Sequence, residues 1–318
     1  MGLHHVAIAG GSGGLGRTLT CELCNNEEIH VYVLSRKSKP PSYLASNVRW
    51  LEAPYDNIGE LLKLLDCNSI DTVISTLTPS SPEVFVAQDN LILAAARSKF
   101  VKRFIPSEWG IDSSSDDEHL PLSFKTAKQS SLDLLRQQPS LSSTVVYNGY
   151  FMDYFGMPHC ESFMLPEMPY IDIAARKAAI PGSGNELVTW TYTKDVARYV
   201  LELVRSEDPW PAETLIEGDK ASLNEVLAIA EQVRGGAKFD VVHDSLADLR
   251  AGKISEIPAY EALYDVLPKE TLLDWMAAFG VGIITGVFDL KGDLLNDKYS
   301  NIQPVKMREF IKMHWEGK

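Results

Sequence analysis

An α/β fold, with a doubly wound parallel sheet, is predicted for this 318-residue chain by three features. Segments of strand and helix character alternate through the first half. A glycine-rich turn joins the first such strand to the first such helix. The strand segments are short apolar runs, as strands buried on both faces require.

The elements can be taken in order. Val6-Ala7-Ile8-Ala9 is the first buried strand, and Arg17 to Leu23 has helical character. Between them lies Gly10-Gly11-Ser12-Gly13-Gly14-Leu15-Gly16. A strand, a glycine-rich turn and a helix are the context in which such glycines bind a dinucleotide. Gly10 permits the tight turn, Gly13 admits a pyrophosphate against the backbone, and Gly16 lets helix and strand pack closely. Ser12, Gly14 and Leu15 complete the expected cradle, where the free N–H groups and the positive dipole end of the helix meet the phosphates. The first gap, Gly10 to Gly13, is one residue wider than in the dehydrogenase fingerprint and matches the short-chain and extended reductase form.

His30 to Leu34 is the second strand, rich in β-branched and aromatic residues. An NAD site places an acid after it, on the ribose 2′-hydroxyl. Here Arg36 and Lys37 stand there instead, and a guanidinium can fork onto a 2′-phosphate. Arg17 is positioned to join them. The expected cofactor is therefore NADP(H).

Further strands are expected at Val48–Glu52, Thr72–Thr76, Lys102–Ile105 and Thr144–Tyr147, with helices over Ile58–Leu65 and Glu83–Ser98. Repeated βα units imply a parallel sheet with helices on both faces. Ligands bind beyond the carboxyl ends of such strands. The expected site thus includes Thr76 and Leu77 with the following Thr78-Pro79, the segment Pro106 to Gly110, and Asn148 to Phe151. Thr191–Ser206 reads as an amphipathic helix and Thr214–Glu217 as a strand, both returning to the first domain. The expected division is a Rossmann domain over 1–155, rejoined by 188–218, and a smaller substrate-binding region over 156–187 and 219–318.

Composition excludes several classes of function. The net charge of −13, from 43 acids and 30 bases, argues against a nucleic-acid surface. It also leaves the cofactor phosphates to local cations. No apolar run approaches membrane length. The N-terminus runs directly into the first strand, so a cytoplasmic chain without a leader is expected, and Val6 removes the myristoylation signal. Cys21, Cys24, Cys67 and Cys160 have no metal or disulfide framework, and no metal is expected. Cys21 and Cys24 read as small apolar residues of the first helix. Ser113 to Glu118 reads as an exposed polar loop.

Phe104-Ile105-Pro106-Ser107-Glu108-Trp109-Gly110 and Asn148-Gly149-Tyr150-Phe151-Met152-Asp153-Tyr154-Phe155 carry a family resemblance. They resemble segments of the NmrA-like, isoflavone-reductase-like group of atypical short-chain reductases, which includes phenylcoumaran benzylic ether reductases. The resemblance covers most of the chain and is strongest over residues 5 to 155. It implies a Rossmann domain, NADPH and a pocket for an aromatic or polycyclic small molecule.

Ordinary short-chain dehydrogenases use a Tyr with Lys four residues later, and none of the 12 tyrosines here has one. The resembling group uses a lysine at the head of the helix before the sixth strand. Lys125 and Lys128 both lie there; the spacing from Lys128 to Asn148 matches the family's, which favours Lys128 as the catalytic and cofactor-contacting lysine. Asn148 and Tyr150 join the expected cofactor contacts. Ser131, Leu132 and Asp133 replace the family's basic pair. That departure motivates a second reading, a condensation or cyclisation enzyme that keeps NADP(H) as a structural cofactor. A third is an NADP-sensing regulator. Glu108 reads as a general acid or a structural acceptor, and Trp109 as a substrate platform or a cover on the sheet end. Phe151, Tyr154, His159 and Tyr264 complete the expected substrate wall, with further aromatic stripes at Ala259–Tyr264 and Leu273–Gly280. No oligomeric state follows from the sequence.

Overall fold

The computed structural model describes residues 3–40, 45–78, 81–116, 118–120, 124–165, 170–265 and 267–318. Pro79, in the segment after the strand at 72, and Asp117, in the polar run, lie outside the described residues.

The first half alternates as its periodicity requires. β1 (His4–Ala9) leads through the glycine turn into α1 (Gly14–Leu23), then β2 (Ile29–Ser35), β3 (Arg49–Glu52), α2 (Ile58–Cys67), β4 (Thr72–Ser75), α3 (Pro82–Arg97), β5 (Arg103–Ile105), α4 (Lys125–Arg136) and β6 (Ser142–Ser143). The six strands form one parallel sheet in the order β3-β2-β1-β4-β5-β6. Its register pairs Val6 with Val31 on one side and with Thr72 on the other. The order reverses between β1 and β4, the point at which a Rossmann sheet opens a crevice beyond its carboxyl ends.

Both faces of the sheet are covered, and the period of two shows it. Val6 and Ile8 pack into one core with Leu19, Val200 and Leu203, while Ala7 and Ala9 pack into another with Leu61, Leu91 and Phe104. α1 therefore lies on one face, and α2 and α3 on the other.

The strand expected at Thr144–Tyr147 is observed over Val145–Tyr147, in a different sheet from β6. Thr144 N–H still bonds to Phe104 O, but Val145 N–H bonds to Ala212 O. The chain changes partner at that residue, and β7 (Val145–Tyr147) pairs in parallel with the later strand Glu213–Leu215. The predicted helix at 191–206 is observed at Thr193–Arg205, packed against α1. Its buried stripe includes Val196, Tyr199, Val200 and Leu203, at helical spacing.

Beyond β7 lie β8 (Tyr150–Phe151) and two small sheets built from Ile171–Asp172, Lys177–Pro181, Leu187–Thr191, Asp219–Ser222 and Asp240–Asp244. The Ala259–Tyr264 stripe is a 3-10 turn over Pro258–Leu263, with Tyr260 fully buried. The Leu273–Gly280 stripe lies in a helix over Lys269–Ile284. Cys24 is buried and Cys21 exposed, so only one of the pair packs. Ser113 departs from its expected exposure and is buried, because its hydroxyl is spent on Glu108. Among the described residues no helix is long and apolar enough to cross a membrane.

Candidate active site

One cleft of about 1460 Å³ runs from the glycine turn to an aromatic wall in the second half of the chain. At its phosphate end α1 starts without a side-chain cap on Gly13 and without an acid in its first turn. That leaves its leading N–H groups and dipole end for an anion. Gly10, with φ of +81°, makes the turn that only glycine makes without strain. Gly13 and Gly16 do different work. A Cβ on Gly13 would meet nothing within 4 Å. A Cβ on Gly16 would stand 2.3 Å from Thr76 Oγ1 and 2.4 Å from Gly10 O. Gly13 thus keeps space open in the cleft, and Gly16 permits close packing without lining it. Ser12, Gly14 and Leu15 line the cleft, as do Thr76 and Leu77. Thr76 Oγ1 donates to Ala9 O at 2.7 Å, stitching the ends of β4 and β1 together across the crevice.

Arg36 lines the cleft beside Glu52, Ala53, Pro54 and Tyr55. Tyr55 donates to Leu34 O, and burial raises its phenol while the nearby Arg36 opposes that rise. Lys37 and Arg17 lie outside the cleft. The Lys37 backbone is held by Ser35 Oγ and Trp50 Nε1, and its side chain is exposed. The Arg17 guanidinium sits 3.9 Å from the centre of the Phe163 ring, a cation–π contact.

Lys128 stands on the first turn of α4 and lines the middle of the cleft. Its Nζ lies 3.6 Å from Glu108 Oε2 and 3.4 Å from Glu108 O. Its side chain is 11% exposed, that of Glu108 0%. Burial pushes the Glu108 carboxyl up, and Lys128 and the Ser113 hydroxyl pull it back. Lys125 lies outside the cleft and donates to Ser115 O. The Trp109 indole N–H donates to Ser75 O at 2.8 Å, covering the end of β4, and the residue lines the cleft.

Phe151 and Tyr154 line the aromatic end with Phe163, Met164, Trp275, Phe279 and Phe288. Tyr150 lines it too, with ring centres 5.3 Å from Trp190 and 5.4 Å from Phe288. Three expected contacts fall elsewhere. Asn148 is fully buried and does not line the cleft, its Nδ2 donating to Gly149 O. His159 is exposed and packs edge-on to Trp315, 4.7 Å between ring centres. Tyr264 points its hydroxyl at Glu256. In the last two cases a local aromatic or polar partner outside the cleft takes the ring.

Several lining residues were missed in the sequence. Glu52 ends β3 and Ala53 to Asp56 follow it, where the carboxyl-end rule would have found them. Trp275 and Phe279 lie in the stripe at 273–280, but periodicity alone does not say which face of it meets the cleft. Phe288 carries no local signal.

The strand order, the uncapped helix at the switch point and the cleft beyond the strand ends define an α/β protein of the dinucleotide-binding Rossmann class. The NmrA-like family model matches residues 3–264, and the chain belongs to that family. It is 32% identical to the oxidoreductase BOA1 of Botryotinia fuckeliana over 94% of this chain and 95% of that protein. It is 27% identical to the oxidoreductase swnN of Metarhizium robertsii over 98% and 97% of the two chains. Leucoanthocyanidin reductase from Vitis vinifera, solved with NADPH, has the same fold, with a TM-score of 0.76 at 19% identity over 97% of this chain and 98% of that one.

Proposed function

We propose that this chain is an NADPH-dependent reductase of an aromatic or polycyclic small molecule in secondary metabolism. One observation carries the reading: Lys128 lines a single continuous cleft between the glycine turn and an aromatic wall. Relatives named as oxidoreductases, and a reductase of the same fold solved with NADPH, support it.

The residues present fit the cofactor. The uncapped start of α1 and the open space at Gly13 suit a pyrophosphate, and Arg36 suits a 2′-phosphate. NADPH when bound supplies the hydride. Lys128 then gives a proton to the substrate atom that gains negative charge, in a cleft that Trp109, Tyr154 and Phe279 also line. The aromatic wall orients a flat substrate and excludes water from the reacting bond.

The residues that motivated the non-redox reading are turned away from the chemistry. Ser131 donates to Asp89 on α3, and Asp133 pairs with Arg136. None of Ser131, Leu132 and Asp133 lines the cleft. The reductase reading keeps the division into a cofactor domain over 1–155 with 188–218 and a substrate region over 156–187 and 219–318.

The test is turnover. NADPH absorbance is followed with aromatic ketones, enones and benzylic ethers while product mass is recorded. Lys128→Ala should lower kcat by roughly 10²–10⁴-fold, the usual share of general acid–base catalysis. NADPH affinity should change far less. Product formed without NADPH loss would instead favour the condensation or cyclisation enzyme, and absence of any turnover the sensor.

A further inference from the structure

We propose that Glu108 is a positioning residue whose buried carboxylate keeps the Lys128 ammonium charged and held at the cleft. The inference rests on the reading of Lys128 as proton donor.

Glu108 is set in place by its neighbours, not by its own side chain. On one side Ser107 N–H donates to Gln88 Oε1 and Ser107 Oγ to Leu77 O. On the other Trp109 is pinned to Ser75 O. The carboxyl group between them is inaccessible to solvent, and Ser113 Oγ donates to its Oε2 at 3.0 Å. Oε1 is buried without a hydrogen-bond partner among the described residues. A buried carboxylate oxygen left unsatisfied is costly, and an apolar side chain of similar size would avoid the cost. The charge there is met by the Ser113 hydroxyl and by the Lys128 ammonium, 3.6 Å from Oε2.

Lys128 needs such a counter-charge. Its side chain is almost out of solvent, and the Phe124 ring, 5.8 Å from Nζ, gives the ammonium a cation–π contact. The Glu108 carboxylate supplies the counter-charge, and Glu108 O gives the ammonium a further acceptor. The other charged groups nearby are turned elsewhere. Asp112 accepts from Ser114 and from the Tyr147 hydroxyl, and Lys125 is bonded to Ser115 O. Glu108 lines the cleft, but its side chain is 0% exposed, and it acts on the substrate through Lys128.

The charge state can be read without a substrate. The purified full chain is labelled with trace acetic anhydride, which attacks only the neutral amine, and acetylation of Lys128 is measured by peptide mass spectrometry relative to the exposed Lys63. At pH of about 8, Glu108→Gln should raise this ratio about tenfold, since an opposite charge at this range holds the charged form by that order. Ser113→Ala removes the hydroxyl that steadies the carboxylate and should raise it about two- to threefold. At pH of about 11, where lysines are largely neutral, the ratio should match wild type, because accessibility has not changed. An unchanged ratio at pH of about 8 in the folded variants would overturn the proposal, and so would an equal rise at both pH values, which would mean loosened packing. Should Glu108→Gln fail to fold by circular dichroism, Ser113→Ala decides alone. Full turnover by Lys128→Ala would remove the reading of Lys128 as proton donor and leave the labelling result standing, so the two failures are distinct.

Discussion

Arg36 and Lys37 stand side by side and differ in consequence. Arg36 lines the cleft, while the Lys37 side chain is exposed and outside it. A charge-assisted bond to a phosphate contributes about 1.5–3 kcal/mol, so Arg36→Ala should weaken NADPH by about ten- to a hundredfold. NADH, which lacks the 2′-phosphate, should be affected far less, and Lys37→Ala should change NADPH affinity by no more than about twofold. Calorimetric titration of both cofactors checks this; equal affinity of the wild type for the two would contradict it. The adjacency was legible in the sequence, but the division of labour was not. Side-chain direction at the loop tip depends on Ser35 Oγ and Trp50 Nε1 holding the Lys37 backbone, and Trp50 comes from the next strand.

At the scale of an element, the glycine turn separates folding from binding. Gly13 is extended, with φ of −148°, so a β-branched residue suits its backbone, and a Cβ there meets nothing. Gly13→Val should fold normally and lose NADPH, because the side chain fills the phosphate space. Gly16→Val should instead destabilise the chain by about 1–3 kcal/mol or more, since its Cβ would press on Thr76 and the Gly10 carbonyl. Urea unfolding with circular dichroism, beside NADPH titration, distinguishes the two. Retained NADPH binding by folded Gly13→Val would reduce the motif to a structural turn. The glycine positions were readable because strand, turn and helix are contiguous in the chain.

At the scale of the whole molecule, buried carboxylates link stability to pH. Asp153 is fully buried; its Oδ1 accepts from Ser162 and Thr193 hydroxyls and its Oδ2 from Thr193 N–H. It thus ties the segment carrying Phe163 and Met164 to the helix over 193–205. Burial pushes its carboxyl above the ordinary 3.8, and the hydrogen bonds only partly offset this. The folded chain therefore binds that proton more tightly than the unfolded chain. Its contribution is fully present below the ordinary value and is lost as pH rises through the raised one. Asp153→Asn has no such titration. The stability advantage of wild type over Asp153→Asn should be greatest at acid pH and shrink as pH rises toward neutrality. Urea unfolding of both chains between about pH 4 and 8 measures it, and an advantage that grows with pH would contradict the assignment.

The sequence by itself determined the alternation of strands and helices, the phosphate turn and the cation after β2. Each is written in contiguous residues, through periodicity or through a backbone conformation only glycine adopts. Tertiary structure decided the rest. It moved the chain from one sheet to another at Thr144, because Val145 found Ala212 as its partner. It closed the cleft with Trp275, Phe279 and Phe288, more than a hundred positions beyond Lys128 in the sequence. It turned His159 and Tyr264 away to nearer partners. It also joined Lys128 to Glu108, 20 residues apart, where neither segment alone signals a pair. Burial is non-directional and summed over the whole chain, so which distant faces meet is not written in any one of them.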